Sequence, residues 1–180
     1  MSPGDGAEIL ALDFLDEWSE RWFEAWNGQD AEALAEMCSE DLVLDDPALP
    51  EALHGRAGVR SFAADTFRAF PDVRLQPLES PCSSRRGGGA WLPYRMSGTM
   101  DGFWRPLDIA PTGAAIAIRG VTEWGFRDGL LIVWDTIYDN LDLARQMGIV
   151  PPQGSRGDRL FSRLQHVQAR GRRRANRNRR

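Results

Sequence analysis

Lysine is absent from this chain of 180 residues, whose 22 basic residues are all arginine. Cysteine is scarce: Cys38 and Cys82 stand alone, without CxxC or any metal-binding spacing. Two distant thiols exclude a disulfide framework and suit free thiols in a reducing cytoplasm. Only two histidines occur, His54 and His166, and there is no HExxH, GxGxxG or P-loop. The usual sequence signs of zinc, dinucleotide and nucleotide chemistry are therefore missing, and no cofactor or metal is expected. No apolar run approaches the roughly 20 residues that span a bilayer, so no integral membrane segment is expected. The opening MSPGDGAEIL lacks a basic region ahead of an apolar core, which argues against a secretory signal and for a cytoplasmic protein.

What is present is enough for one folded domain. The hydrophobic fraction is 42% and there are seven Trp, too much apolar surface for a wholly disordered chain. Charge divides the chain in two. Residues 1–155 carry 12 Arg against 25 acids, a net −13, whereas residues 156–180 carry ten Arg against Asp158 alone, a net +9. We read residues 7–152 as the domain and 153–180 as a basic tail, partly helical and then disordered through GRRRANRNRR. Such a tail can bind polyanions weakly, but it lacks the interleaved aromatics of a sequence-specific nucleic-acid reader.

Periodicity orders the elements. Leu15, Trp18, Trp22 and Trp26 recur at helical spacing over residues 7–27, ending at Asn27-Gly28. Asp30 caps a short second helix running to Cys38, LVLDDP reads as a strand stopped by Pro47, and residues 57–70 form a third helix. From residue 73 the period becomes that of strands: VRLQPLE, AWLPYRMSGTM, AIAIRGVTEWGF and LLIVWDTIYD, the last two joined by the turn RDG. Residues 101–114 form a loop holding Trp104, and residues 140–147 a closing helix. Helices followed by a strand meander predict an α+β fold with a mainly antiparallel sheet.

The motifs FEAWNGQDAEAL, the DP of LVLDDP, HGRAGVRSF with FRAFPD, the APTG turn, and DG…WDTIYDNLDLARQMG…PP resemble the SnoaL-like polyketide (ester) cyclase family. That family belongs to the nuclear-transport-factor-2-like superfamily, and the resemblance spans about residues 10–152. It implies a cone-shaped (cystatin-like) roll, with three N-terminal helices packed on a curled sheet around one apolar pocket. It also implies a cofactor-free acid–base step by an Asp on a polyketide-, steroid- or terpenoid-like substrate, either aldol cyclisation or isomerisation, and commonly a homodimer. The fold equally hosts epoxide hydrolases and non-catalytic binding or dimerisation modules.

A carboxylate on an apolar strand is costly unless it has a partner or a task, which singles out Asp135 and Asp139 as candidate catalytic groups. Four residues apart on a strand, they share a face at roughly 13 Å and cannot act as a proton-sharing dyad. The resemblance favours Asp139, just before the helix ending in Gln146–Gly148; capping that helix is the alternative role. Arg119 and Glu123 share a face of the neighbouring strand, as substrate contacts or as a structural ion pair with Asp135. The founding cyclases place a His on this strand, where this chain has none. His54 at the pocket mouth, Asp45 beside Asp46 at the DP strand end, Trp26 and Trp104 complete the candidate substrate contacts. Trp124 and Trp134, off the face of the acidic pair, are expected to pack against helix, tail or a second subunit.

Overall fold

The computed structural model describes residues 10–84, 88–159, 163 and 165. The tryptophan stripe forms α1 (Leu12–Asn27), which buries Leu15, Trp18, Trp22 and Trp26 on one face. It begins at Leu12 and not at residue 7 as expected: Leu10 and Ala11 are non-helical, and the N-cap Ala11 offers no side-chain acceptor. Helix α2 (Ala31–Glu36) begins as expected at Asp30, whose carboxylate accepts from the Ala33 N–H at 2.9 Å. It stops short of Cys38 because that residue already opens β1 (Cys38–Asp45). After β2 (Leu53–His54) comes α3 (Gly55–Ala69), two residues earlier than expected. Gly55 makes that start possible: its φ is 62°, and a Cβ there would lie 2.7 Å from the Glu40 carbonyl oxygen.

The strands that follow are β3 (Arg74–Pro77), β4 (Cys82–Ser83), β5 (Gly89–Thr99), β6 (Ala115–Arg127) and β7 (Leu130–Tyr138). A 3-10 turn at Arg105–Leu107 lies between β5 and β6, and α4 (Asn140–Gln146) follows β7. Asp128 and Gly129 both have positive φ, as a two-residue hairpin between β6 and β7 requires. The strand order is β2-β1-β7-β6-β5-β3, with β4 pairing β5. Every pairing is antiparallel except β1 with β7. The fold is α+β, with the N-terminal helices packed on one mixed sheet.

Strand parity decides what the core sees. Leu92, Thr122 and Thr136 are cross-strand neighbours on β5, β6 and β7 and are buried, as are Trp124 and Trp134. Their odd-numbered neighbours Glu123 and Asp135 pair with each other on the opposite, outer face. Trp124 packs on α1, edge-on to Trp18 at 4.8 Å between ring centres. No helix of the described residues is long and apolar enough to cross a membrane. The GRRRANRNRR segment lies outside the described residues, and with it the expected disorder and polyanion binding of the tail.

Candidate functional site

The inner face of β5–β7, the C-terminal half of α1, α3, α4 and the 101–114 loop together line one apolar cavity. About 80 Å³ of it is open to water. Along α1 the stripe divides: Trp18 faces Trp124 and Phe126, whereas Trp22 and Trp26 reach the cavity. Both meet Trp134 edge-on, at 4.7 and 6.0 Å between centres, the geometry that ring quadrupoles favour. Trp104 closes another side, edge-on to Phe62 at 6.2 Å. The indole N–H of Trp26 is buried without an acceptor among the described residues.

Among the described residues one carboxylate lines this cavity, that of Asp46. It follows β1 on the same parity as the buried Leu42 and Leu44 and is only 6% exposed. Its Oδ1 accepts the Ala48 N–H at 2.8 Å, a turn hydrogen bond of the kind an Asp before Pro makes. The same oxygen accepts the Tyr138 hydroxyl at 2.7 Å. Its Oδ2 accepts no hydrogen bond from the described residues. Burial raises the proton affinity of Asp46 above that of an ordinary Asp, and the Asp45 and Asp135 charges add to this. The hydrogen bonds from Ala48 and Tyr138 oppose the shift.

Tyr94, Gly120 and Tyr138 form a row across β5, β6 and β7. Gly120 is required there, since a Cβ would lie 2.7 Å from the Tyr94 hydroxyl and 2.9 Å from the Ile137 carbonyl oxygen. Burial, and then the Asp46 charge, push both phenols above the ordinary tyrosine range, so they remain donors. The Tyr94 hydroxyl has no hydrogen-bond partner among the described residues and lines the cavity. Helix α4 is docked beside this row. Asn140 Nδ2 donates to the Pro47 carbonyl at 2.8 Å, while the Gln146 amide pairs with both the N–H and the C=O of Ala117.

Of the residues expected from sequence, the structure brings Trp26 and Trp104 to the cavity. Asp139 does not line it: β7 ends at Tyr138, and the Asp139 carboxylate caps α4 by accepting the Asp142 N–H at 2.9 Å. Asp135, Arg119 and Glu123 belong to the outer face by strand parity and line no part of the cavity. Arg119 forms no ion pair with Asp135 or Glu123, which are themselves cross-strand neighbours. Asp45 is exposed, turned away by one residue from Asp46, and His54 is an exposed residue of β2 away from the cavity. Trp134, expected off the functional face, lines the cavity. Sequence reasoning missed Tyr94 and Tyr138 altogether; they are the chain's only two tyrosines, which is a signal in itself.

This architecture has known counterparts. The SnoaL-like domain family profile matches residues 19–134. The chain belongs to the SnoaL-like family. No curated protein matches its sequence. Among solved structures, TsrD from Streptomyces laurentii superposes on this SnoaL-like chain with a TM-score of 0.65 at 22% identity, over 77% of this chain and 98% of that one. AclR from Streptomyces galilaeus, a proposed hydroxylase, also gives 0.65, at 19% identity over 78% and 89%. A proposed SnoaL-like polyketide cyclase from Jannaschia gives 0.65 at 20% identity, over 84% and 100%. At these identities the likeness establishes the fold.

Proposed function

We propose that this SnoaL-like protein is a cofactor-free enzyme that moves protons at carbon beside a carbonyl, on an apolar polyketide-, steroid- or terpenoid-like substrate. The carrying observation is Asp46, a buried carboxylate of raised proton affinity facing an unpartnered phenol in an apolar cavity. In this reading Asp46 takes the role that family resemblance assigns to Asp139. Its Oδ2 accepts the proton from the carbon next to the substrate carbonyl. The electron pair moves into the carbonyl, and the resulting enolate oxygen accepts a hydrogen bond from the Tyr94 hydroxyl. Tyr138 and the Ala48 N–H hold the carboxylate in place. Return of the proton to another carbon gives an isomer. Attack of the enolate on a second carbonyl within the same molecule closes a ring by aldol addition, and Asp46 then protonates the new alkoxide.

Ligand pockets that engulf drug-sized molecules run to roughly 300 Å³ or more. A polycyclic substrate therefore requires the Trp104 loop to swing outward from the present cavity. An epoxide hydrolase is a weaker reading, since it wants an Asp–Arg–Asp constellation and the cavity wall holds one Asp and no Arg among the described residues.

The test is hydrogen–deuterium exchange at the carbons beside the carbonyl, followed by NMR for a panel of apolar ketones in D₂O. Wild type is expected to accelerate exchange, and Asp46→Asn to lose roughly 10²- to 10⁴-fold of that acceleration. Unchanged exchange in Asp46→Asn sinks the assignment. Binding of the ketones without exchange favours a non-catalytic binding module. We also propose a homodimer through the outer sheet face, where Val43 (41% exposed), Val133 (38%) and Ile137 (54%) lie uncovered.

A further inference from the structure

We propose that the cavity also binds a small organic ammonium ion, a tertiary or quaternary amine, with the Asp46 carboxylate as counter-ion and tryptophan rings as walls. This goes beyond the acid–base reading and does not depend on it. Trp22, Trp26, Trp104 and Trp134 line the cavity, together with Tyr94 and Tyr138. Indole and phenol faces carry the negative end of the ring quadrupole, which attracts a poorly hydrated cation and offers a neutral ligand no comparable electrostatic gain.

Charge acts in the same direction. The cavity lining holds the carboxylate of Asp46 and no Arg or His among the described residues. The Asp45 and Asp135 carboxylates act on Asp46 from beyond the wall, so the field at that end of the cavity is negative. An anion is repelled there, and a cation relieves the repulsion among the three acids. Residues 1–155, at net −13, draw cations toward the domain as a whole. Oδ2 of Asp46 and the hydroxyl oxygen of Tyr94 both lack a hydrogen-bond partner among the described residues. Each can accept from the N–H of a tertiary ammonium.

Size sets the limit on the ligand. The cavity of about 80 Å³ is well below the roughly 300 Å³ of a drug-sized pocket, so it suits a small ion.

The experiment compares choline with its neutral carbon isostere, 3,3-dimethylbutan-1-ol, by titration calorimetry and tryptophan fluorescence on the full chain at pH 8. Sodium chloride holds the ionic strength constant. Choline is expected to bind at least tenfold tighter than the alcohol. Asp46→Asn, which keeps both an acceptor oxygen and the side-chain volume, is expected to cut that preference at least fivefold. Trp104→Leu is the second variant and should weaken choline at least fivefold with a smaller effect on the alcohol. Equal affinity for the two probes, no choline binding at millimolar concentration, or a preference undiminished in Asp46→Asn would each overturn the proposal. The ketone exchange assay reads the acid–base chemistry separately. Normal exchange without cation preference defeats this inference alone, and cation preference without exchange defeats only the catalytic one.

Discussion

Tyr138→Phe removes one oxygen atom and asks how much the cavity carboxylate depends on it. The Tyr138 hydroxyl donates to Asp46 Oδ1 at 2.7 Å, and Asp46 is 6% exposed, so water replaces the lost donor poorly. A hydrogen bond to a charged group is worth about 1.5–3 kcal/mol, and one to a neutral group about 0.5–1.5 kcal/mol. The substitution should therefore cost about 2 kcal/mol when Asp46 is ionised and about 1 kcal/mol when it is protonated. For a chain of this length 2 kcal/mol lowers Tm by about 4–8 °C. The sign with pH follows from linkage. Burial raises the folded-state proton affinity of Asp46, so its ionisation weakens the fold as pH rises through the folded pKa. The Tyr138 hydrogen bond opposes that shift. Without it the proton is held more tightly, and the acid limb of any activity profile moves to higher pH. Urea unfolding of wild type and variant at pH 4 and pH 8 measures both arms. A cost equal at the two pH values, or an acid limb that stays in place, would refute the picture of Tyr138 as the donor that tempers Asp46.

Asp139→Asn preserves a good N-cap and should leave stability and turnover near wild type, whereas Asp139→Ala should cost about 1 kcal/mol in thermal or urea unfolding. Loss of turnover in the folded Asn variant would return catalysis to Asp139. Cys38 is buried, donates to the Leu34 carbonyl and has its thiol pushed up to about 12 by burial, whereas Cys82 is exposed. Ellman's reagent at pH 8 should thus titrate one thiol in the native protein and two in guanidinium. Ile137→Arg should convert the proposed dimer to monomer in sedimentation equilibrium, and a wild type that sediments as a monomer contradicts the outer-face interface.

The elements were largely legible in the sequence because each rests on a local signal. The Trp18–Trp22–Trp26 spacing, Asp30 as a cap and the Asp-Gly hairpin fixed α1, the start of α2 and the β6–β7 turn to within a few residues. The site was far less legible, because it depends on which face of the sheet is covered. Odd and even positions separate cleanly along a strand, yet sequence alone does not say which set looks inward. Trp134 lies off the face of Asp135 and packs against α1 as expected, but it is this even-numbered face of β6 and β7, and not that of the acids, that lines the cavity.

The burial cost that drew notice to Asp135 and Asp139 is real, but each avoids it in its own way. Asp135 is half-buried on the outer face, and Asp139 lies beyond the strand end, occupied by a helix N-terminus. The carboxylate that does bear the cost is Asp46, whose DP context reads as an ordinary turn and whose turn hydrogen bond to Ala48 is indeed present. A single oxygen, Oδ1, serves both the turn and Tyr138, which leaves Oδ2 without a partner among the described residues. The segment after β7 still governs the site, though indirectly. Asp139 caps α4, Gln146 clamps its far end to Ala117, and Asn140 ties its first turn to the Pro47 carbonyl, next in sequence to Asp46. Changes in that segment should reach the reaction through the placement of Asp46, which is why turnover in a cap-preserving variant, and not in an alanine one, tells position from chemistry.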